Sequence, residues 1–279
     1  MRGWRYGAAA LLILLASGTV CAAERIVTLA PHLAELVCAV GACDELVAVA
    51  AYTDDPPQAA QRPQIGSAMA VSLEAVIAMR PTRVLAWRGG TPEATIAQLQ
   101  ALGLPVEAIA IADLDAIGTT LERLGALLGH VEQGRAAANT YRQRLAALRA
   151  QYAGRPRLRA FYQIETGPVY TVNRRSPITA ALSLCGADNV FAGLPSLSAV
   201  VGDEAVLAAN PQVVVHAADE NVRGMAAYWK RLASAEAADP RRRVPVDANR
   251  LTRQSPRVLD GIAELCEGLD RVRAGMTTP

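Results

Sequence analysis

The sequence predicts an α/β protein in which two Rossmann-like lobes are joined by one long, rigid α-helix, with a cleft between the lobes. Three observations support this fold class. Short apolar runs alternate with helical patterns, two segments in opposite halves of the chain repeat one another, and a long stretch of helix formers lies between the halves. The expected boundaries are residues 24–131 for the first lobe, 132–154 for the connecting helix and 155–279 for the second lobe.

The first lobe alternates strand patterns with helix patterns. Three apolar runs are expected strands, namely 25–30, 45–50 and 83–87. The last has no polar alternation, which is typical of a strand in a parallel sheet covered on both faces. Helical patterns occur at 31–41, 71–81 and 91–103. Ser72 and Thr91 are the expected N-caps of the last two helices, because a hydroxyl oxygen can accept a hydrogen bond from the free N–H groups of the first turn.

The connecting segment is rich in alanine and arginine. Residues 132–153 contain no proline, and no glycine after Gly134, so a single helix on the order of 30 Å long is expected. Gly154 and Pro156 end this helix, and a strand-like segment follows them. The lobes are therefore predicted to be linked by a rigid element rather than by a flexible loop.

Two segments, 72–87 and 202–217, align with one another without gaps. Each begins a helix with Glu-Ala-Val, has a proline seven residues after the glutamate, and continues as an apolar strand. The helix dipole alone explains a single glutamate in a first turn, where the residue contributes roughly 0.3–1 kcal/mol. Because Glu74 and Glu204 are matched, one in each lobe, docking of both onto a partner is the second interpretation.

The chain of 279 residues has 28 Lys and Arg against 26 Asp and Glu, so its charge does not predict a nucleic-acid partner. Residues 1–23 have the layout of a secretory signal peptide, with two arginines, an apolar stretch and then small residues. The apolar stretch, 8–16, is much shorter than the ~20 residues that a membrane-spanning helix needs. Export as a soluble protein, with the signal peptide removed, is therefore expected.

Export changes the interpretation of the cysteines. If Cys21 is removed with the signal peptide, Cys38, Cys43, Cys185 and Cys266 remain. An even number of cysteines in an oxidising compartment favours disulfides, and four cysteines allow three pairings. Cys38 and Cys43 either pair locally, which leaves Cys185 with Cys266, or stay as two buried thiols.

Signals for catalysis are few. The sequence contains no nucleophile elbow, phosphate-binding loop or dinucleotide-binding glycine motif. The histidines, His32, His130 and His216, lie in unrelated segments, and His32-x-x-Glu35 lacks the second histidine of a zinc-protease helix. An exported metal-dependent or hydrolytic enzyme is therefore disfavoured. His216 is expected in the core or at a strand end, whereas His32 follows a strand at a junction of the kind that often faces a cleft.

Aromatic residues make up 4% of the chain, so their positions are informative. Tyr52, Trp87 and Tyr170 each lie where a strand pattern meets a loop, which is the usual place for ligand sites in α/β sheets. Flat rings there suit a large, flat, partly apolar ligand, and packing of each ring on its own lobe is the alternative. The segment that repeats the Trp87 strand has no aromatic at its end, which favours a ligand-facing role for Trp87, with Gly89 and Gly90 allowing close approach.

These residues carry a resemblance to a known family. Residues 50–106, with Tyr52 near Asp-Asp-Pro-Pro, the Leu-Glu-Ala-Val helix start and the Ala-Trp-Arg-Gly-Gly turn, closely resemble the periplasmic cobalamin-binding proteins of vitamin B12 ABC importers. Weaker matches cover the rest of the chain after residue 23. The resemblance implies a periplasmic, helical-backbone substrate-binding protein that captures cobalamin or a related corrinoid and delivers it to the importer, and not an enzyme.

The resemblance also implies which residues contact the ligand. Tyr52 and Trp87 correspond to rings that contact the corrinoid from the first lobe, and Tyr170 to a ring of the second lobe. Arg253 and Asn249 correspond to residues that hydrogen-bond the amide groups at the edge of the ligand. No side chain is required to ligate the cobalt, so neither a metal site nor a cofactor is expected; cobalamin is the cargo.

Partner contacts follow from the same resemblance. Glu74 and Glu204 correspond to the glutamates that dock onto arginines of the inner-membrane permease, which works with its ATPase, and Cys185 and Cys266 to the family's disulfide. A monomer is expected.

The chain departs from the family pattern at three positions. Ala68 and Ser198 stand where relatives have tryptophans, and Asn249 stands where they have an aspartate. The aromatic enclosure is thinner as a result, which leaves cobinamide, a variant cobamide or another metal chelate open as ligands. Haem or a ferric siderophore is the alternative within the same architecture, with His32 and the tyrosines as the candidate ligands of a haem iron.

Overall fold

The computed structural model describes residues 24–218 and 222–277, so the predicted signal peptide, residues 1–23, lies outside the described part of the chain. The strands are β1 (Ile26–Thr28), β2 (Leu46–Ala48), β3 (Gly66–Ser67), β4 (Ala70–Val71), β5 (Arg83–Trp87), β6 (Val106–Ile109), β7 (Leu158–Gln163), β8 (Tyr170–Val172), β9 (Ala187–Asn189), β10 (Ser198–Val200), β11 (Val213–Ala217) and β12 (Arg243–Val246). The α-helices are α1 (Pro31–Ala39), α2 (Pro57–Ala60), α3 (Leu73–Ala78), α4 (Glu93–Ala101), α5 (Leu114–Leu127), α6 (Val131–Tyr152), α7 (Pro177–Leu184), α8 (Asp203–Ala209), α9 (Val222–Arg231), α10 (Ala248–Thr252) and α11 (Val258–Thr277).

Each lobe is built on a four-stranded parallel sheet. The first sheet has the strand order β2-β1-β5-β6, and the second has the order β12-β11-β7-β9. Numbered within each lobe, both orders are 2-1-3-4, so the sequence repeat corresponds to a repeated topology. The predicted α/β class with two lobes is confirmed. In both lobes, the helix that precedes the third strand is the repeated one, α3 in the first lobe and α8 in the second.

Of the two N-caps predicted in the first lobe, one is present and the other is not. Ser72 caps α3 as predicted, because its side chain accepts a hydrogen bond from the Ala75 N–H. The prediction for Thr91 is wrong: α4 begins after Pro92, and no side chain caps it. The Thr91 hydroxyl instead accepts a hydrogen bond from the backbone N–H of Trp87 at 3.1 Å, so it fixes the turn that carries Trp87.

One apolar core runs through both lobes. It includes Leu33 of α1, Leu121 of α5, Leu145 of α6 and Ile262 of α11, which come from the first lobe, the connecting helix and the second lobe. The helix α6 packs against α5 so closely that a Cβ on Gly125 would lie 2.7 Å from the Gly134 Cα. The two lobes are therefore joined by a shared apolar core as well as by the connecting helix.

Two disulfides are present, Cys38–Cys43 and Cys185–Cys266. The first links the end of α1 to the turn before β2, and the second links the end of α7 to α11 over a separation of 81 residues. Both Cys185 and Cys266 are fully buried in the core. The local pairing of Cys38 with Cys43 is the one that sequence reasoning left open.

Candidate ligand-binding cleft

The carboxyl ends of β1, β2 and β5 meet at one edge of the first sheet, because these strands are parallel neighbours. His32, Tyr52 and Trp87 follow or end these three strands, so the sheet brings them to the same edge. Tyr52 is 77% exposed. Its φ of 66° lies in the left-handed region, which tight turns use, and the Thr53 hydroxyl closes that turn by donating to the Ala50 carbonyl at 2.7 Å. The turn displays an aromatic ring to solvent.

Trp87 lies over a glycine. A Cβ on Gly90 would lie 1.8 Å from Cε3 of the indole, so only glycine leaves room for the ring in its observed position. The His32 ring also meets the indole edge-on, with centroids 5.1 Å apart and planes at 85°. The ring is half-buried, held by Gly90 and His32, and part of its surface remains accessible.

His32 is neutral in this position. Its side chain is buried, and Nε2 has no hydrogen-bond partner among the described residues. Burial, together with the positive charge of Arg253, lowers the pKa of His32 to about 4. The imidazole supports the Trp87 ring and is only 5% exposed.

The second lobe contributes Tyr170, which begins β8. The ribbon β8–β10 pairs Tyr170 with Val200, and the Tyr170 carbonyl accepts a hydrogen bond from Ile164 just beyond β7, so the ribbon extends the carboxyl end of the second sheet. Tyr170 is half-buried, and Ser198 on the partner strand is exposed. Ala68, the other position without an aromatic, is half-buried and packs against the shared core.

Arg253 is buried between the lobes. Its Nη1 donates to the Glu35 carboxylate at 3.0 Å and also to Asp54, while Nη2 donates to the Tyr52 carbonyl at 2.8 Å. Arg253 thus ties a second-lobe loop to α1 and to the turn that displays Tyr52. Asn249, which sequence reasoning grouped with Arg253, is exposed on α10 and makes none of these contacts.

Arg257 and Asp55 lie next to the contact between Arg253, Glu35 and Asp54. Arg257 lies 3.5 Å from the Glu35 carboxylate, and 3.3 Å from both Asp54 and Asp55. Burial raises the pKa of Glu35 in spite of the two neighbouring guanidinium groups. Burial also opposes ionisation of Asp54, but hydrogen bonds and charge from Arg253 and Arg257 outweigh it and lower the pKa of Asp54. We call Glu35, Asp54, Arg253 and Arg257 the interlobe cluster.

Sequence reasoning missed most of the interlobe cluster. Of its members only Arg253 was expected to act in the cleft, and it was expected to contact the ligand. Glu35 did leave a signal in the sequence, since it stands between apolar residues of α1, where a carboxylate needs a buried partner. The arginine that satisfies it lies 218 residues further along the chain, and no local pattern identifies it.

Glu74 and Glu204 lie away from the cleft edge, in the first turns of α3 and α8. Both are exposed, and neither forms an ion pair with any described residue. One turn further along each helix stands an exposed aliphatic side chain, Ile77 at 44% and Leu207 at 38% exposure. Each lobe therefore presents a carboxylate beside an apolar group.

Neither a cluster of metal ligands nor a helix suited to span a membrane is found among the described residues. Within residues 24–218 and 222–277, no three or more His, Cys, Asp or Glu side chains are grouped so that they could hold a metal ion. No helix described there combines the length and the apolar character needed to cross a membrane.

The chain is similar to known binding proteins over most of its length. A curated vitamin B12-binding protein of Yersinia pestis (strain Pestoides F) is 35% identical over 276 residues, which cover 98% of this chain and 94% of that protein. The crystal structure of the periplasmic vitamin B12-binding protein of Vibrio cholerae has a TM-score of 0.81 at 32% identity, covering 90% of this chain and 98% of that one. A periplasmic haem-binding protein from Pseudomonas aeruginosa has a TM-score of 0.75 at 28% identity, covering 87% of this chain and 91% of that one.

The family comparison agrees with these similarities. The periplasmic binding protein family matches residues 26–227, which include the first lobe, the connecting helix and much of the second lobe. Together with the two-lobed fold and the predicted resemblance to cobalamin-binding members, which is confirmed, the match places this chain in the periplasmic binding protein family.

Proposed function

We propose that this chain captures cobalamin, or a closely related corrinoid, in the cleft between its lobes and delivers it to an ABC importer. The observation that carries the proposal is the indole of Trp87, held over Gly90 at the sheet edge, in a chain whose similar proteins bind vitamin B12. A partly exposed indole offers a flat apolar surface, which suits the edge or face of a large macrocycle. Cobalamin is then the cargo rather than a resident cofactor.

The proposed contacts come from both lobes. Tyr52 and Trp87 present rings from the first sheet, and Tyr170 presents one from the second. Asn249, exposed on α10, would hydrogen-bond an amide group of the ligand. Arg253 would act in two ways, by holding the Tyr52 turn in place through the Tyr52 carbonyl and by offering its remaining N–H groups to the ligand.

Calorimetric titration of the mature protein with cyanocobalamin tests the ligand. We expect binding in the micromolar range or tighter, weakened in Tyr52→Ala and retained in the matched control Tyr52→Phe, which keeps the ring. Absence of binding at tens of micromolar would overturn the corrinoid assignment. A parallel titration with hemin, followed by absorbance, tests the alternative of haem, which a Soret shift together with tight binding would favour.

We also propose that Glu74 and Glu204 dock onto the permease of the importer. They are exposed, form no ion pair with any described residue, and lie on topologically equivalent helices, one in each lobe. The neighbouring Ile77 and Leu207 add apolar area at the same points. Each lobe therefore offers a carboxylate and an aliphatic side chain at an equivalent position. A partner made of two like permease subunits could contact one such pair on each lobe.

Transport assays separate docking from ligand binding. Glu74→Ala and Glu204→Ala should each reduce importer-dependent uptake of cyanocobalamin severalfold or more, while the Kd for the free ligand stays within about twofold, because exposed charges act mainly on partner association. Glu132→Ala is the matched control, since Glu132 is an exposed carboxylate in the first turn of another helix. A tenfold loss of ligand affinity in either docking variant would contradict the assignment.

The proposal includes export to the periplasm through a cleaved signal peptide at residues 1–23. Mass spectrometry of the secreted chain, with a mature start near residue 23 or 24, would establish the cleavage.

A further inference from the structure

A cavity of about 380 Å³ lies at the junction of the lobes. Leu114 and Ile117 of α5 and Val258 of α11 form apolar parts of its wall, and Arg174, Arg175 and Gln254 supply polar groups. The wall is thus made of side chains from both lobes. None of the residues proposed above to contact the macrocycle lines it.

The cavity adjoins the cleft on both sides. On the first lobe its wall begins at Ala112, three residues after the end of β6, and the last residue of β6 pairs in register with Trp87. On the second lobe Arg174 follows β8, which begins at Tyr170. Gln254 crosses the junction by donating from Nε2 to the Ile111 carbonyl at 2.8 Å. A ligand between Trp87 and Tyr170 would therefore have this cavity beside it.

Among the described residues, no carboxylate forms an ion pair with the arginines of the wall. The Arg174 guanidinium forms no hydrogen bond or ion pair with any residue of the described chain, and the Arg175 guanidinium donates to the Pro195 carbonyl at 3.0 Å. Asp113 is the one carboxylate among the described residues of the wall, and it accepts a hydrogen bond from the Ala116 N–H as the cap of α5. Two guanidinium groups in the wall of one cavity favour an anionic group, most of all one with several oxygens.

Gln254 adds a second requirement. Its Oε1 is buried and has no hydrogen-bond partner among the described residues, although its Nε2 is bonded. A buried acceptor without a donor is costly, so a ligand that fills the cavity should bring a hydroxyl or N–H group to this oxygen. The cavity therefore suits a ligand that carries an anionic group and a hydrogen-bond donor close together.

We infer that this cavity binds the nucleotide arm of a complete corrinoid, with the phosphodiester at Arg174 and Arg175 and a ribose hydroxyl at Gln254 Oε1. The inference rests on the proposed function and goes further, because it assigns a part of the ligand that distinguishes cobalamin from cobinamide. Cobinamide has the same macrocycle but lacks the phosphodiester, the ribose and the base. The protein is thereby expected to select for complete corrinoids.

Calorimetric titrations with cyanocobalamin and with dicyanocobinamide test this selectivity. For the unmodified chain we expect cyanocobalamin to bind at least about tenfold more tightly, since charge-assisted hydrogen bonds are the strong ones. The double variant Arg174→Gln/Arg175→Gln should lose that difference and keep its cobinamide Kd within about twofold, which also shows that it is folded. Higher ionic strength should reduce the difference in the unmodified chain as well.

The control is Arg135→Gln/Arg271→Gln, which removes the same charge from exposed positions outside the cavity and should keep the selectivity. Equal affinity of the unmodified chain for the two corrinoids, or a selectivity that survives the Arg174/Arg175 substitution, would overturn the inference and leave the proposed function standing. Failure of the unmodified chain to bind either corrinoid would instead overturn the proposed function, and this inference with it.

Discussion

Replacement of Arg253 by leucine tests whether the interlobe cluster holds the lobes together. The Arg253 side chain is 9% exposed and the Glu35 side chain 4%, so this ion pair is buried, whereas the Asp54 side chain is 46% exposed. Exposed ion pairs contribute about 0–1 kcal/mol, so the loss of the Asp54 contact is a minor part of the effect. The main cost arises because Glu35 stays buried without its principal partner.

The structure sets the size of that cost. Removal of one partner of a buried pair typically costs about 3–5 kcal/mol. Glu35 keeps the hydrogen bond from the Ser255 hydroxyl and has Arg257 at 3.5 Å, so its negative charge is still partly compensated. We therefore expect the free energy of unfolding of Arg253→Leu to fall by about 3 kcal/mol, at the lower end of that range. For a chain of this length, the melting temperature should fall by about 6–12 °C.

A double variant and a pH series check the reasoning. In Arg253→Leu/Glu35→Leu no buried carboxylate is left unpaired, so the double variant should be more stable than Arg253→Leu alone. The single variant should also recover part of its loss at pH 5 compared with pH 8. Because burial raises the pKa of Glu35, the folded state binds a proton more readily than the unfolded state does as the pH falls. The free energy of unfolding therefore rises at lower pH. Urea denaturation of both variants at pH 8 and pH 5 gives these values. A double variant no more stable than Arg253→Leu, or an Arg253→Leu variant that gains nothing at pH 5, would refute this account.

Two further predictions concern the Trp87 turn. Gly90→Ala should displace the indole of Trp87, since the new Cβ would lie 1.8 Å from the ring. Acrylamide quenching of the tryptophan fluorescence should then rise, and cyanocobalamin binding should weaken about tenfold or more. Gly193→Ala is the control, because a Cβ there would have nothing within 4 Å, and it should change neither the quenching nor the affinity. Unchanged quenching and affinity in Gly90→Ala would remove the support for Trp87 as a ligand-facing ring. The contribution of His32 to the free energy of unfolding should fall by about 3 kcal/mol between pH 6.5 and about 4, because the unfolded chain binds a proton that His32, with its pKa of about 4, does not take up when folded. His32→Leu should lack that contribution, and an identical pH dependence in urea denaturation would argue against it.

Elements of the fold could be predicted from the sequence because their signals are local. The apolar run before Trp87 is the strand β5, and the stretch without breakers is the helix α6. The N-cap at Ser72 follows the usual hydroxyl pattern. Thr91 shows the limit of this approach, because two backbone N–H groups compete for one hydroxyl. The N–H of Trp87 takes it, and the helix that follows starts without a side-chain cap.

The interlobe cluster could not be predicted in the same way. Its members are distant in the sequence, and each has an ordinary surface explanation when it is considered alone. Arg253 and Asn249 illustrate the difficulty, since they lie four residues apart and end in opposite environments, the first buried between lobes and the second exposed. Only the packing of α1 against the second lobe decides that the arginine faces Glu35.

The internal repeat separates what the scaffold requires from what the site adds. Arg80 and Asn210 end equivalent helices, and both adopt left-handed backbone conformations, with φ of 46° and 41°. These equivalences maintain the turn from helix to strand in each lobe. Trp87 has Ala217 as its counterpart, so nothing in the shared turn demands an indole. A ligand held between two unlike surfaces needs no such symmetry, which is why the position where the lobes differ is where we expect the cargo to bind.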